Sequence, residues 1–354
     1  LTNVANKRKV LFIIDHAPDY RESFLSLLGE VVELTVVAQA CEKDGLVKPA
    51  ARQGYSYIEL PSYSFLGFRF QFGIKKVFDS QNWDLVCCSL NLRHPLRYLF
   101  FYHRKETPWV WWGQVFGRNE FAFLDTIKKK LITVSDGCLV YTSLIAEKVS
   151  ALADIPVESF NNSEVLQSEF RSGVFSQEAG KLKILYVGRY QERKKLHRLI
   201  SLAERNEFIE VRLVGKGMNQ LSLPADKAVR QRVTVYGHTV GNQLNEHFDW
   251  CDLVVNPGHI GLLVMNAARH GKGIVIDSSS KHAPEYILAE ISSQPFVDFS
   301  NDKTVDNFFR MMLYGDSECM ALGHALQERA RKDFTVESMV RRHFDMFERI
   351  LIGK

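Results

Sequence analysis

Short apolar runs rich in β-branched residues alternate along this chain with stretches of helical spacing, and the pattern runs through twice. That βαβ rhythm leaves few folds open, because it builds parallel sheets covered by helices. The first series predicts strands at Val10–Ile14, Leu34–Ala38, Tyr57–Leu60, Leu85–Cys88, Trp109–Trp112, Cys138–Tyr141 and Val157–Phe160. The second restarts at Lys183–Val187 and continues with Val211–Val214, Val233–Tyr236, Leu253–Asn256, Gly273–Ile276 and Phe296–Phe299. Between them the polar segment Asn161–Lys181 has no clear period and reads as a linker. With 354 residues, 46% apolar and 24% charged, the chain can bury two cores. The expected organisation is a doubly wound domain over 1–165, a linker over 166–182, a second domain over 183–335 and a helix over 336–354. That helix carries Met339, Phe344, Phe347 and Leu351 at roughly helical spacing, after Phe334 and a Thr335/Ser338 cap region. The N-terminal domain is its candidate packing partner.

The net charge of +4 is small for the length and does not indicate a nucleic-acid binder. Its distribution is uneven. Arg93, Arg97, Arg104, Lys105, Arg118, Lys128, Lys129 and Lys130 are opposed only by Glu106, Glu120 and Asp125, and aromatics from Tyr98 to Phe116 are interleaved. This mixture suits an anionic membrane surface or an anionic acceptor; a solvated helix face beside a buried strand is the plainer account. The group Trp109, Trp111 and Trp112 reads as core, with two of the three on one face of a strand. The six cysteines show no C-x-x-C pair and no metal-ligand spacing, which predicts buried thiols in a reducing cytosol. No run approaches the ~18 apolar residues of a membrane span. The N-terminal KVLFII is too short for a leader and reads as a strand. The expected location is cytoplasmic, with the inner membrane face as a candidate docking surface.

Doubly wound sheets bind ligands beyond the carboxyl ends of their strands, so chemistry is sought in the loops after Val187, Val214, Tyr236 and Asn256. In YVGRYQERKKLHRLI, a buried strand ends at Gly188, Arg189 follows at once, and Arg193, Lys194 and Lys195 precede a helical pattern. A guanidinium and an ammonium beside a helix start form a diphosphate clamp; a charged helix start on a surface loop is the alternative. The strand VRLV runs into Gly215-Lys216-Gly217, a tight turn at the same edge, and VTVY into Gly237-His238. In LVVNPGHIGLLVMNAARHGKGIVID a strand ends at Asn256-Pro257-Gly258, and a helix starts near Gly261 and is closed by Gly271. Backbone N–H groups from Gly261 to Leu263 would receive a diphosphate without any side-chain charge.

The order strand–GR–x4–K–helix, strand–GKG, YGH, then NPGHIGLLVMNAARHGKGIVIDS…PEYI resembles the retaining glycosyltransferases of the GT-B fold, glycosyltransferase family 4 ("group 1"), across roughly Lys183 to Tyr286. PWVWWGQVFGRN (Pro108–Asn119) and KKKLITVSDGCLVYT (Lys128–Thr142) are similar to the N-terminal domain of its bacterial surface-polysaccharide members. The resemblance implies an α/β GT-B fold, with two Rossmann-like doubly wound domains facing across a cleft. It implies a nucleotide-diphosphate sugar as co-substrate on the C-terminal domain, and a glycan or lipid-linked saccharide acceptor on the N-terminal one. The implied catalytic residues are Arg189 and Lys194, neutralising the diphosphate with no metal or other cofactor. Gly188, Gly215, Lys216, Gly237, His238, Gly258, His259, Ile260, Gly261, Leu262 and Asn266 would bind the donor. His16, Arg21 and Gln114 would face the acceptor.

Three positions depart from the family pattern. Gly258 and Asn266 stand where relatives have two glutamates, and Gln114 stands where many have the histidine of W-G-H. Asn266 can still hydrogen-bond a ribose hydroxyl, more weakly than a carboxylate. For His16 and Arg21 the alternatives are a turn histidine and a helix-surface arginine; for His238, a turn role. Glu285 after Pro284 is expected as a first-turn carboxylate. The resulting expectation is retaining transfer of a hexose in surface-polysaccharide or lipopolysaccharide synthesis. A nucleotide-sugar epimerase of the same fold and a catalytically inactive nucleotide-sugar-binding relative are the alternatives.

Overall fold

The computed structural model describes residues 7–41, 46–116, 122–175 and 178–353. Arg118 and Glu120 of the basic stretch, and the end of the PWVWWGQVFGRN run, lie outside the described residues. The chain divides into one unit made of 1–164 with 336–354, and a second made of 165–335.

In the first unit seven strands form one parallel sheet: β1 Lys9–Ile13, β2 Glu33–Ala38, β3 Ser56–Glu59, β6 Leu85–Ser89, β7 Trp109–Gly113, β8 Gly137–Val140 and β9 Val157–Ser159, in the order β3-β2-β1-β6-β7-β8-β9. Strands β1, β6, β7 and β8 are apolar almost without interruption because helices cover both faces of the sheet. Alternation within β7 sends Trp109 and Trp111 against Phe101, at ring distances of 5.6 and 5.0 Å, while Trp112 stacks on Phe160 at 5.3 Å. The sequence reading did not foresee the antiparallel hairpin of β4 Ser62–Phe65 and β5 Phe68–Gln71, inserted between β3 and β6.

The helix Val336–Ile352 belongs to this unit and packs on the helix Glu22–Val31. Its buried stripe is Met339, His343, Met346, Phe347 and Ile350. Phe344, expected in the core, is displaced by its neighbour His343, which no apolar pattern selects. His343 accepts a hydrogen bond from Trp112 Nε1 at 2.9 Å and donates from Nδ1 to Met339 O at 2.7 Å. Gly137 of β8 makes room for the helix: a Cβ there would lie 2.6 Å from the Met346 methyl.

The second unit is a six-stranded parallel sheet of β10 Leu182–Val187, β11 Ile209–Val214, β12 Val233–Tyr236, β13 Leu253–Asn256, β14 Gly273–Asp277 and β15 Phe296–Val297, in the order β12-β11-β10-β13-β14-β15. Strand order reverses between β10 and β13, so their carboxyl ends mark the ligand crevice of such a sheet. The segment read as a linker divides: 161–164 belong to the first unit, and from Val165 onward it lies on the second. Arg171 N donates to Arg269 O at 2.8 Å, and the fully buried Lys272 donates to Val174 O. All six cysteines are buried, and no helix among the described residues is long and apolar enough to cross a membrane.

Candidate functional site

At the carboxyl edge of the second sheet, four loops are tied together by backbone groups. Gly188 N donates to Val214 O at 2.9 Å, and Gly215 N reaches Tyr236 O and Gly237 O, each at 3.1 Å. Tyr190 N donates to Lys216 O at 2.9 Å. Gly215 has φ 148°, and any Cβ there would overlap the Gly188 carbonyl, so the close approach of these loops requires glycine. Arg189, Lys216 and His238 project from this edge as exposed side chains. Among the described residues no hydrogen bond or ion pair holds the Arg189 guanidinium.

The turn after β10 and the loop after β13 cross each other directly. His259 N donates to Arg193 O at 2.9 Å, and Lys194 Nζ donates to His259 O at 2.6 Å. A Cβ on Gly258 would fall 2.5 Å from Arg193 O and 2.7 Å from Lys194 O, both backbone atoms, so a side chain at this position is incompatible with the crossing. His259 and Ile260 are buried, His259 donating from Nδ1 to Lys281 O at 2.6 Å. What this loop offers a ligand is therefore its backbone. The helix begins at Leu263, after Gly261 and Leu262, whose N–H groups donate to no backbone carbonyl among the described residues. Asn266 lies half-buried one turn further on.

Sequence reasoning missed what fixes this arrangement. Asp277, fully buried at the end of β14, pairs with Lys195 Nζ at 3.3 Å and Arg198 Nη1 at 3.1 Å. Burial raises its pKa, but hydrogen bonds from Ser280, Ser279 and the Phe299 N–H outweigh this and hold the carboxyl below its ordinary range. Arg198 also reaches Pro257 O at 3.4 Å. Lys195 has φ 53°, so consecutive lysines diverge: Lys195 goes to Asp277 and Lys194 to the loop after β13. A carboxylate ending a buried strand, in VIDSSS, is the signal that could have found it.

The first unit carries a site at its own strand-order reversal, between β1 and β6. A cavity of about 810 Å³ is lined there by Asp15, His16, Arg21, Asn91, Gln114 and Lys128, among others. Asp15 accepts from Arg97 Nη1 at 2.5 Å, Ser89 Oγ at 2.9 Å and Asn91 Nδ2 at 2.7 Å. Burial would raise its pKa, but Arg97, His94 and the Asn91 hydrogen bond prevail and hold the carboxyl well below the carboxylate range. His94 sits 3.5 Å away, lowered to about 3 by burial and by Arg97. The sequence reading placed Arg97 and Lys128 on an exposed basic face. Arg97 is instead fully buried, spanning Asp15, Ser89, Ile14 O and Gln71, and Lys128 is 9% exposed.

The acceptor-side candidates converge on this cavity. His16 Nε2 lies 2.9 Å from Gln39 Nε2 and 3.5 Å from Arg69 Nη1; with donors on both sides that nitrogen accepts. Arg21 is buried, bound to Asn162 and to the Tyr141 hydroxyl, with the Trp112 ring 5.3 Å away. Gln114 is exposed at the rim, just beyond Gly113, whose φ is 118°.

Comparison with solved structures gives the same architecture at low identity. Sucrose-phosphate synthase from Thermosynechococcus elongatus aligns over 98% of this chain and 100% of its own, with TM-score 0.72 and 13% identity. HepE from Anabaena, in complex with UDP, aligns over 96% and 100%, with TM-score 0.68 and 13% identity. A putative UDP-N-acetylglucosamine 2-epimerase from Listeria monocytogenes aligns over 99% and 98%, with TM-score 0.62 and 16% identity. No curated protein sequence matches the chain. Residues 181–298, which carry all four crossing loops of the second unit, match the family model for glycosyl transferases group 1, and the chain as a whole has the two-unit, Rossmann-like GT-B fold.

Proposed function

We propose that this protein is a retaining glycosyltransferase that moves a sugar from a nucleotide-diphosphate donor, bound on the second unit, to a glycan or lipid-linked saccharide in surface-polysaccharide synthesis. The observation that carries the donor side is the crossing at the strand-order reversal. There the Lys194 ammonium is set on the loop whose next N–H groups, Gly261 and Leu262, open a helix. An ammonium beside unbonded N–H groups is a receptor for a diphosphate, and the exposed Arg189 guanidinium at the neighbouring strand end supplies a second cation. In the proposed reaction the bond from the anomeric carbon to the diphosphate oxygen breaks. The acceptor oxygen bonds to that carbon on the same face, and its proton passes to the released diphosphate. Two cations at the leaving group make a metal unnecessary for this step, so transfer is expected to survive EDTA.

Calorimetric titration with UDP, GDP and ADP tests the donor site. Arg189→Ala and Lys194→Ala should each weaken binding by about 1.5–3 kcal/mol, the worth of a charge-assisted hydrogen bond. Unchanged affinity in the double variant would remove the donor from this crossing. Labelled nucleotide sugar then separates the chemistries. Free nucleotide with a new glycan supports transfer, an altered sugar nucleotide without acceptor would make the protein an epimerase, and neither would leave a binding protein.

A further inference from the structure

The β4–β5 hairpin is amphipathic in the wrong sense for a soluble surface. Register pairs Ser62 with Gln71, Tyr63 with Phe70, Ser64 with Arg69 and Phe65 with Phe68. Side chains alternate across a hairpin, so Ser62, Ser64, Arg69 and Gln71 share one face, and Tyr63, Phe65, Phe68 and Phe70 the other. The polar face is the inner one: Gln71 is buried and accepts from Arg97 at 3.1 Å, and Arg69 reaches His16 at 3.5 Å. The aromatic face is turned outward, apart from the half-buried Phe70. Phe65 is 66% exposed and Leu66 80%, and Tyr63, Phe68 and Phe72 are exposed as well.

The turn makes the arrangement more telling. Leu66 and Gly67 have φ 46° and 80°, the two left-handed residues of a tight hairpin turn, where Asn-Gly is the favoured pair. Leucine is a poor residue for that backbone and does nothing for the turn, so its exposed side chain is what the position provides. Next to the hairpin, the helix Pro95–Tyr102, which packs on β5, exposes Leu99 and Tyr102. The flanking charges are mostly of one sign. Lys75, Lys76, Arg93, Arg104 and Lys105 lie in these two stretches against Asp79 and Glu106; Lys75 pairs with Asp79 and Arg104 with Asp136 at 3.8 Å, while Arg69 turns inward.

We infer that this hairpin docks the protein on an anionic lipid bilayer, its aromatic tip entering the headgroup region while the flanking cations meet anionic lipid. Exposed aromatics with a basic surround fit a bilayer interface, wet on one side and apolar on the other. At about 200 Å² per large side chain, the hairpin leaves roughly 600 Å² of apolar side chain exposed, and Leu99 with Tyr102 adds roughly 200 Å², a larger contiguous patch than a soluble surface ordinarily carries. Docking here would also bring the first unit's cavity to the lipid surface, since the inner face of the hairpin is bonded to the residues that line it. The inference goes beyond the donor reading and does not depend on it.

Sedimentation of the full chain with vesicles of 7:3 phosphatidylcholine and phosphatidylglycerol tests it. Wild type should bind, and a variant carrying Phe65→Thr, Leu66→Asn and Phe68→Thr should bind at least tenfold more weakly. Asn suits the left-handed turn and Thr suits a strand, so this variant should fold at least as well, with an unchanged thermal melt. Lys75→Gln with Lys76→Gln should weaken binding severalfold in low salt and little in high salt. Failure of wild type to sediment, or equal binding by the hairpin variant, overturns the inference. A dimer by sedimentation velocity that the hairpin variant dissolves, without vesicle binding, overturns it in favour of a second copy of the chain. Nucleoside-diphosphate titration of the same samples keeps the two readings apart, because neither set of changes should alter it.

Discussion

Replacing His343 by Gln should remove a defined part of the acid sensitivity of the first unit. His343 is fully buried, and burial, with Arg21 nearby, lowers its pKa to about 3 despite the hydrogen bond to Met339 O. In the unfolded chain the same ring titrates near 6.5. The folded state therefore binds fewer protons between these values, and stability, complete above about pH 6.5, falls as pH drops toward about 3. Linkage gives a slope of about 1.4 kcal/mol per pH unit within that window, which amounts to about 2 kcal/mol between pH 7 and pH 5. Gln does not titrate and still offers Trp112 Nε1 an acceptor, so the change isolates the proton. Urea unfolding followed by tryptophan fluorescence is the assay, since Trp83, Trp109, Trp111 and Trp112 lie in the first unit and only Trp250 in the second. The variant should lose about 2 kcal/mol less than wild type between pH 7 and pH 5. Parallel losses in the two proteins would refute the claim that His343 is held neutral.

Gly258→Ala should destabilise the second unit by about 1–3 kcal/mol, through overlap with the backbone of 193–194, and weaken nucleoside-diphosphate binding; calorimetry measures both. Asp15→Ala should cost about 3–5 kcal/mol in thermal or urea unfolding, because it strips the carboxylate from a fully buried Arg97. A cost near zero would mean that the remaining acceptors of Arg97 suffice.

The strands were legible for one reason: a parallel strand buried on both faces is an unbroken apolar run, as in Val10–Ile13 and Leu253–Val255. The hairpin escaped notice although its alternation was present in SYSF and FRFQ. Its strands are only four residues long, and Leu-Gly is not a pair that announces a tight turn. Glycines at strand ends marked where the loops crowd one another, since close backbone approach leaves a trace in the sequence at Gly188, Gly215 and Gly258. The charges did not sort themselves. Arg97 and Lys128 looked like surface cations because nothing near them in sequence neutralises Arg97; its partner Asp15 lies 82 residues away. Asp277 was hidden in the same way, holding Lys195 and Arg198 across 82 and 79 residues.

The glycine at 258 bears on whether this is a working site or a relic. A relic would have lost a glutamate side chain from an otherwise unchanged loop, and the space for it would remain. Here that space is filled by the backbone of Arg193 and Lys194, and the approach is fastened at three points: His259 N to Arg193 O, Lys194 Nζ to His259 O, and Arg198 to Pro257 O. Asp277 adds a fourth restraint by anchoring Lys195 and Arg198, the latter also bonded to Pro257 O of the loop. Buried charge is costly to maintain, and a carboxylate held ionised by Ser280, Ser279 and the Phe299 N–H, and paired with two cations, persists only where the surrounding geometry satisfies it. The loop is thus built around glycine, with the backbone of Arg193 and Lys194 in the space a side chain would need and the Lys194 ammonium fastened to His259 O. With no carboxylate at 258 and an ammonium on the next carbonyl, the crossing has the charge that the proposed diphosphate site requires. If the proposed donor binds here, contacts to its sugar hydroxyls at 258 fall to backbone groups, and the expected outcome is that titrations separate donors by their phosphates more sharply than by their sugars.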